Sequence, residues 1–265
     1  MTDGYLRPFW GMVLRDLQVL RRGFVPLMTR TVMNPLLFVF VFTYVFPHLG
    51  QGFQGGPAGV SYATVVVPGL VAVGMVFTGI SSVALPLSME LGATREIEDR
   101  VLAPVPVELV AIQKLLMGAL QGVIAGLVVF PLVAFIPATP VSLHVASWPL
   151  LVAVVLLASL TAGALGLALG TIVRPQQIGL MFAVVVVPIT FLGCVYYPWA
   201  VLHPLRWLQV AVLVNPLVYM SEGLRAALTP ELPHMPPWAF LGALAVATLG
   251  LGTVGVRAFV RRTIG

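Results

Sequence analysis

The chain has 265 residues, 59% of them hydrophobic and 9% charged, with mean hydropathy +1.03. A soluble domain carries about 25% charged residues, so the composition excludes a water-soluble fold, and long apolar runs become candidate membrane spans. The formal net charge is +5, but the placement of the basic residues makes it a sign of membrane orientation, and a nucleic-acid partner is not needed to explain it.

The chain opens with Leu6, Phe9, Trp10, Val13, Leu14, Leu17, Leu20 and Phe24. At helical spacing these fill a stripe about 140° wide. Arg7, Arg15 and Arg22 fall outside it and Arg21 sits at its edge. An amphipathic helix over residues 5–24, lying in the membrane interface, is expected. The arginines and the missing small-residue cleavage site argue against a signal peptide.

Apolar segments follow at 26–46, 62–89, 109–136, 148–173, 178–197 and 238–256. Each has about 20 residues or more, enough to cross roughly 30 Å of hydrocarbon. Pro68, Pro86, Pro131 and Pro188 are candidate kinks inside them. Six spans leave twelve of the fourteen Lys and Arg residues on one side. Only Arg206 and Arg225 lie on the other. The positive-inside rule makes the basic side cytoplasmic, with both termini there.

Between the second and third spans, residues 90–106 carry a dense run of charge, "ELGATREIEDRVLAPVP". Thr94 is a candidate N-cap. Glu96 with Arg100 and Arg95 with Asp99 are i,i+4 pairs. Ile97 and Val101 share the opposite face, and Pro104 and Pro106 stop the helix. Such a short, proline-braced helix suits transmission of force better than a slack loop. Within the third and fourth spans, Gly118, Gly122 and Gly126, and then Gly166 and Gly170, recur at four-residue spacing. Small residues at that spacing let helix backbones approach closely in a membrane.

The segment after the fifth run, residues 196–230, is broken. Pro198 and Pro204 each start a helical turn, and Asn215 with Pro216 forms an N-cap and N1 pair for a helix over 216–228. Glu222 and Arg225 are three apart and can pair. Trp199, Trp207 and Tyr219 are interface-favouring aromatics. Helical pieces that dip back into the exterior face, with the charge pair at an exterior mouth, are the expectation. The lone Cys194 cannot form an internal disulfide and reads as a small packed hydrophobe.

No G-x-x-x-x-G-K-[ST] phosphate loop and no Ser/His/Asp set is present in the sequence. No metal site is expected, nor any catalytic residue, and uphill movement would draw its energy from another subunit. Two other classes compete. The N-P-L triplets at Asn34 and Asn215 are similar to the paired N-P-A half-helices of aquaporin-like channels. However, Asn34 lies at the entrance to the first span, so the inverted repeat is missing. A membrane-embedded transferase would want clustered acids for metal-bound phosphates. Its nearest candidates, Glu96, Glu98 and Asp99, are interleaved with Arg95 and Arg100.

Phe191, Gly193, Tyr197, Pro198, Leu202, Trp207, Leu208, Gln209, Asn215, Pro216, Leu217, Tyr219, Leu224 and Arg225 together resemble the exterior segment of ABC-2 type transporter permeases. The Glu90 to Lys114 stretch resembles that family's coupling segment, without its usual E-x-x-x-G-T-L-E wording. The resemblance covers nearly the whole chain. It implies an all-α integral membrane protein with six transmembrane helices, an N-terminal interface helix and exterior re-entrant helices. It further implies a single membrane domain over 1–265 that pairs with a second permease subunit, as homo- or heterodimer, and two copies of a nucleotide-binding ATPase. ATP and Mg would be bound by that partner, with coupling through Arg95, Glu96, Glu98, Asp99, Arg100 and Pro104. The function implied is export of a lipophilic drug-like or lipid cargo across a prokaryotic inner membrane, with polysaccharide or lipid-linked glycan as the alternative cargo.

Overall fold

The computed structural model describes residues 3–25, 62–92, 106–135 and 142–264, with 28–29, 33, 36–37, 40–45 and 48 between the first two stretches. Among these residues there are helices and connecting turns and no strand. The helices are α1 (Asp3–Arg22), α2 (Tyr62–Gly92), α3 (Val107–Phe135), α4 (Trp148–Ile172), α5 (Pro175–Phe191), α6 (Arg206–Ala211), α7 (Pro216–Leu228) and α8 (Pro237–Ile264). A π-helical turn, Phe40–Val45, falls within the first apolar segment. The rest of that segment, and the whole of the 93–105 loop with its expected helix, lie outside the described residues.

Among the described residues, four helices are long and apolar enough to cross a membrane: α2, α3, α4 and α8. They form the body of the molecule. Helix α2 is its axis, packed against α3, α4 and α7. It is buried almost throughout, including Pro68, Leu70, Met75, Ile80 and Leu87. Lipid offers apolar side chains no incentive to leave it, so helices here must gain their contacts by close approach. Gly118, Gly122 and Gly126 of α3 face inward, toward Val83, Ser159 and Met75 respectively. Gly166 and Gly170 of α4 lie against α2 at Gly79, Ile80 and Ala84. The approach is not uniform. A β-carbon on Gly122 would sit 3.4 Å from its nearest neighbours, an ordinary contact, whereas one on Gly170 would come within 2.7 Å of the Ala84 backbone. Gly118 is tighter than Gly122 too, against the Val83 side chain and the Gly163 backbone. Tightness therefore belongs to the two ends of the glycine series, and mid-stripe Gly122 is the loosest of these positions.

Helix α4 starts at Ser147, whose hydroxyl accepts from Leu150 N, with a proline in the first turn. Thr161 on α4 and Thr248 on α8 share a 2.7 Å hydrogen bond inside the bundle.

The fifth apolar run departs from expectation. A span over 178–197 was expected, but the helix stops at Phe191, and 192–197 is a turn. Within α5 the winding loosens to a π-helix at Phe182–Val186, just before Pro188. Proline has no N–H to give the carbonyl one turn earlier, so the ladder must yield near it. Two residues on, the Thr190 hydroxyl donates to the Val186 carbonyl at 2.8 Å. The stop itself is made by side chains from elsewhere. Asn215 Nδ2 donates to the Ile189 carbonyl at 2.7 Å, and Ser221 Oγ donates to the Gly193 carbonyl at 2.7 Å.

Candidate functional site

Of the residues singled out between 196 and 230, Pro198, Trp199, Asn215, Pro216, Tyr219, Glu222 and Arg225 gather at the end of the bundle where α5 stops and α8 starts, and Trp207 stands apart, exposed. Asn215 is the N-cap of α7: its Oδ1 accepts from Leu217 N at 3.0 Å, and Pro216 takes the first turn. The same side chain ties α7 to the end of α5 through Ile189. Helix α7 runs Pro216–Leu228, the range read from the Asn-Pro pair. Its last carbonyls are capped by the 142–147 segment, where His144 N donates to Leu228 and Ala146 N to Ala227.

Glu222 and Arg225 project from α7 into the protein and are both fully buried. They form an ion pair through Arg225 Nη1 and Glu222 Oε1. The sequence places this pair at an exposed mouth, where charge is tolerable. The structure instead buries it. What makes burial tolerable is a set of hydrogen bonds that engages both carboxylate oxygens and both terminal guanidinium nitrogens, leaving Arg225 Nε as the one buried group of the pair without a partner. Glu222 Oε1 also accepts from Trp199 N at 2.9 Å, and Glu222 Oε2 accepts from Met235 N at 3.0 Å. Arg225 Nη2 donates to the Cys194 carbonyl at 3.1 Å. Burial pushes the Arg225 pKa down, and the Glu222 carboxylate opposes that. One pair thus clasps three backbone segments around α7: the turn after α5, the Trp199–Leu202 turn and the approach to α8. Cys194 is buried as a small packed residue, but its carbonyl direction comes from a left-handed backbone, φ 51°.

The aromatics divide. Trp207 is 72% exposed, as an interface residue would be. Trp199 is instead locked inward: its Nε1 donates to the Gln209 carbonyl at 3.0 Å, just after the buried Pro198 starts its turn. Tyr219 Oη donates to the Leu213 carbonyl at 2.8 Å. The short pieces α6 and Val212–Val214 are held from within by these bonds.

The opposite end of the bundle holds a second polar group. Glu90 at the end of α2 and Lys114 near the start of α3 pair at 2.7 Å and close the base of the 93–105 loop. Gln113 Nε2 donates to Asp16 Oδ2 of α1 at 2.7 Å. Arg262 near the end of α8 donates to the Thr171 carbonyl at the end of α4. Arg95, Glu96, Glu98, Asp99, Arg100 and Pro104 lie outside the described residues, so their own contacts are not part of this picture. Asp16 and Gln113 escaped the sequence reading. Asp16 lies on a helix read only for its apolar stripe and arginines, and Gln113 sits inside a span. A lone amide in an apolar run was the available signal, since such a group needs a partner there.

A model of the ABC-2 type transporter family matches residues 7–229. The chain belongs to that family. The match takes in most of α1, the axis helix α2, and Glu222 and Arg225 with their partners Cys194 and Trp199, and it ends before Met235. Among characterised relatives, the inner membrane transport permease YadH of Escherichia coli (strain K12) is 28% identical over 205 residues, covering 76% of this chain and 77% of the relative. YadH from Shigella flexneri matches to the same extent. As a family member the chain is the membrane part of an ABC transporter, a permease that works with an ABC ATPase.

Proposed function

We propose that this permease is the membrane half of an ATP-driven exporter in the inner membrane of a prokaryotic cell, moving a lipophilic drug-like or lipid cargo outward. The observation that carries the reading is where ionised groups are buried. Among the described residues, the ion pairs are the fully buried Glu222–Arg225 and the partly buried Glu90–Lys114, one toward each end of the bundle and each neutralised within the protein. A carrier driven by protons or sodium relies on an ionisable group along its path, despite a cost of roughly 2.5–3.5 kcal/mol at mid-membrane. Here the drive is assigned to the ATPase. Between the two pairs the buried side chains are apolar apart from uncharged hydroxyls such as Thr78, Ser81, Ser159 and Thr161, which suits a lipophilic cargo better than a glycan. YadH, named an inner membrane transport permease, supports the location.

In this reading two permease subunits, alike or different, pair in the membrane and two ATPase subunits dock beneath them. The 93–105 loop is the docking element, and Arg95, Glu96, Glu98, Asp99, Arg100 and Pro104 are its contact residues. The first apolar segment and α5 complete six spans, both termini are cytoplasmic, and α6 to α7 dip into the exterior face.

The test is reconstitution of the permease with its ATPase in proteoliposomes. Lipophilic compounds or lipids should raise ATP hydrolysis and accumulate on the far side only with ATP. Stimulation by glycans alone would transfer the cargo to the polysaccharide class, and solute flux without any ATPase would make the protein a channel. Orientation is tested by impermeant thiol labelling of single cysteines in a Cys194→Ala background. Glu231→Cys should label from outside intact cells, and external labelling of Glu98→Cys would overturn the topology.

A further inference from the structure

A cleft of about 740 Å³ opens beside the buried cluster, between the end of α5, the Val212–Val214 turn, the start of α7 and the middle of α8. Leu165 and Val212 are buried in its floor, and Pro188, Leu192, Val214 and Val246 form an exposed rim. Among the described residues, no ionisable side chain other than Tyr219 lines it. Its polar side chains, Asn215 and Tyr219, spend their groups on the protein: Asn215 on Ile189 and Leu217, Tyr219 on Leu213. A polar ligand would find little to bond there.

The depth of the cleft can be read along α8. Trp238 is exposed at the start of that helix, where an aromatic residue anchors at the headgroup level, and Arg257, Arg261 and Arg262 mark its other end. At 1.5 Å per residue, cleft residues Ala243 and Leu251 lie about 8 and 20 Å below Trp238, and Arg257 about 28 Å below. The whole cleft therefore falls within a hydrocarbon layer about 30 Å thick. The exposed apolar residues at its mouth, Val214 and Val246, set the opening sideways into lipid rather than up into water.

We propose that this cleft is a binding site for one acyl chain of a bilayer phospholipid, held as a resident part of the folded permease. The volume lies in the range of about 300–1,000 Å³ typical of small-molecule sites. The chain lies between α5 and α8 and against the Asn215 joint, where α5 stops and α7 begins. It fills the space that the early end of α5 leaves open and braces that joint. The inference goes beyond cargo transport: the chain stays bound through the transport cycle.

The probe is a phosphatidylethanolamine with a photoactivatable diazirine on its acyl chain, diluted into nanodiscs holding the intact permease. After photolysis, mass spectrometry should find label enriched at residues 188–192 and 243–251, relative to the lipid-facing comparators Val152 and Leu156 of α4. When the probe is exchanged out against unlabelled lipid before photolysis, the cleft should still be labelled while Val152 and Leu156 are not. Ala247→Phe, which fills the cleft, should abolish cleft labelling and leave the comparators unchanged. Equal labelling at cleft and comparators, or equal loss on exchange, overturns the proposal; this arm uses the wild-type protein and does not depend on the variant folding. Loss of cleft label on adding ATPase and ATP would make the cleft part of the cargo path and refute a resident chain. Disulfide capture between two copies through Val246→Cys would place a second permease there, with the same consequence.

Discussion

Removing Glu222 should harm the permease more than removing Glu222 and Arg225 together. The carboxylate accepts three bonds, from Trp199 N, Met235 N and Arg225 Nη1. Glu222→Ala leaves the Arg225 guanidinium fully buried beside no counter-charge, and breaking a buried pair in this way costs about 3–5 kcal/mol. It also strands two backbone N–H groups, each worth about 1–3 kcal/mol when buried without a partner. Arg225→Met leaves a carboxylate still held by two N–H donors, so it should cost less. In the double variant no buried charge remains, and only the stranded N–H groups count against the fold. Adding Arg225→Met to Glu222→Ala should therefore recover most of the charge penalty, about 3–5 kcal/mol of coupling. Glu222→Gln should rescue poorly, since the amide has one acceptor oxygen and its NH₂ would face the Trp199 or Met235 donor. Thermal unfolding of the four purified proteins in one detergent closes the cycle. If the two single effects add within about 0.5 kcal/mol, the pair is not acting as a unit, and the clasp described here is wrong.

The glycines give a second prediction: Gly118→Leu and Gly170→Leu should lower the yield of folded protein sharply, Gly122→Leu less so, and Gly242→Leu hardly at all, because a β-carbon at Gly242 meets nothing within 4 Å. Size-exclusion profiles of the four would show it, and equal loss from Gly242→Leu and Gly170→Leu would contradict the packing argument. The coupling loop gives a third. With Glu96, Asp99 and Arg100 all changed to Ala, the permease should still insert, because these charges fall between the apolar segments of the sequence rather than inside one, but it should fail to co-purify with its ATPase or to pass cargo stimulation to it. Single exposed pairs contribute only about 0.2–1 kcal/mol, so the whole face must change. Parental transport by the triple variant would move the coupling role to α1 and its Asp16–Gln113 contact.

Much of the helical outline was legible because it rests on local rules. Asn215 followed by Pro216 fixed the start of α7 through the N-cap and the first-turn proline, which no tertiary contact needs to supply. Ser147 and Pro149 mark the start of α4 by the same rule, a signal the reading by hydropathy alone passed over. The end of α5 was not legible. Hydropathy continues through 192–197, and what halts the helix is Asn215 and Ser221 reaching back from more than twenty residues downstream. The burial of Glu222 and Arg225 was hidden for the same reason. Their i,i+3 spacing shows that they can meet, but their tolerance in the interior depends on Trp199, Met235 and Cys194 backbone groups brought by three separate segments. Among the small residues, the four-residue spacing gave the face but not the closeness, which depends on where Val83 and Ala84 of α2 stand.

The two polar ends of the bundle are not independent, because one helix touches both. Helix α2 has 31 residues and is about 46 Å long at 1.5 Å per residue. At one end Glu90 holds Lys114 across the base of the coupling loop. Toward the other end Gly69 lies so close to the Val195 backbone that no side chain would fit between them, and Val195 follows the Cys194 carbonyl that Arg225 holds. Its middle is packed on α3 and α4 through contacts closer than a methyl group allows. A helix seated that tightly does not bend at small cost, because packed interiors shift between discrete arrangements rather than deforming smoothly. Movement imposed at Glu90 must then reach Val195 as displacement of the α2–α3–α4 body as a whole. The soft parts are α5, with its π-turn before Pro188, and the short pieces clasped by Glu222 and Arg225. Relative motion between that body and α5 is where a path for cargo would open. The pair that fixes the α5 turn to α7 decides how much of the motion the outer segment follows.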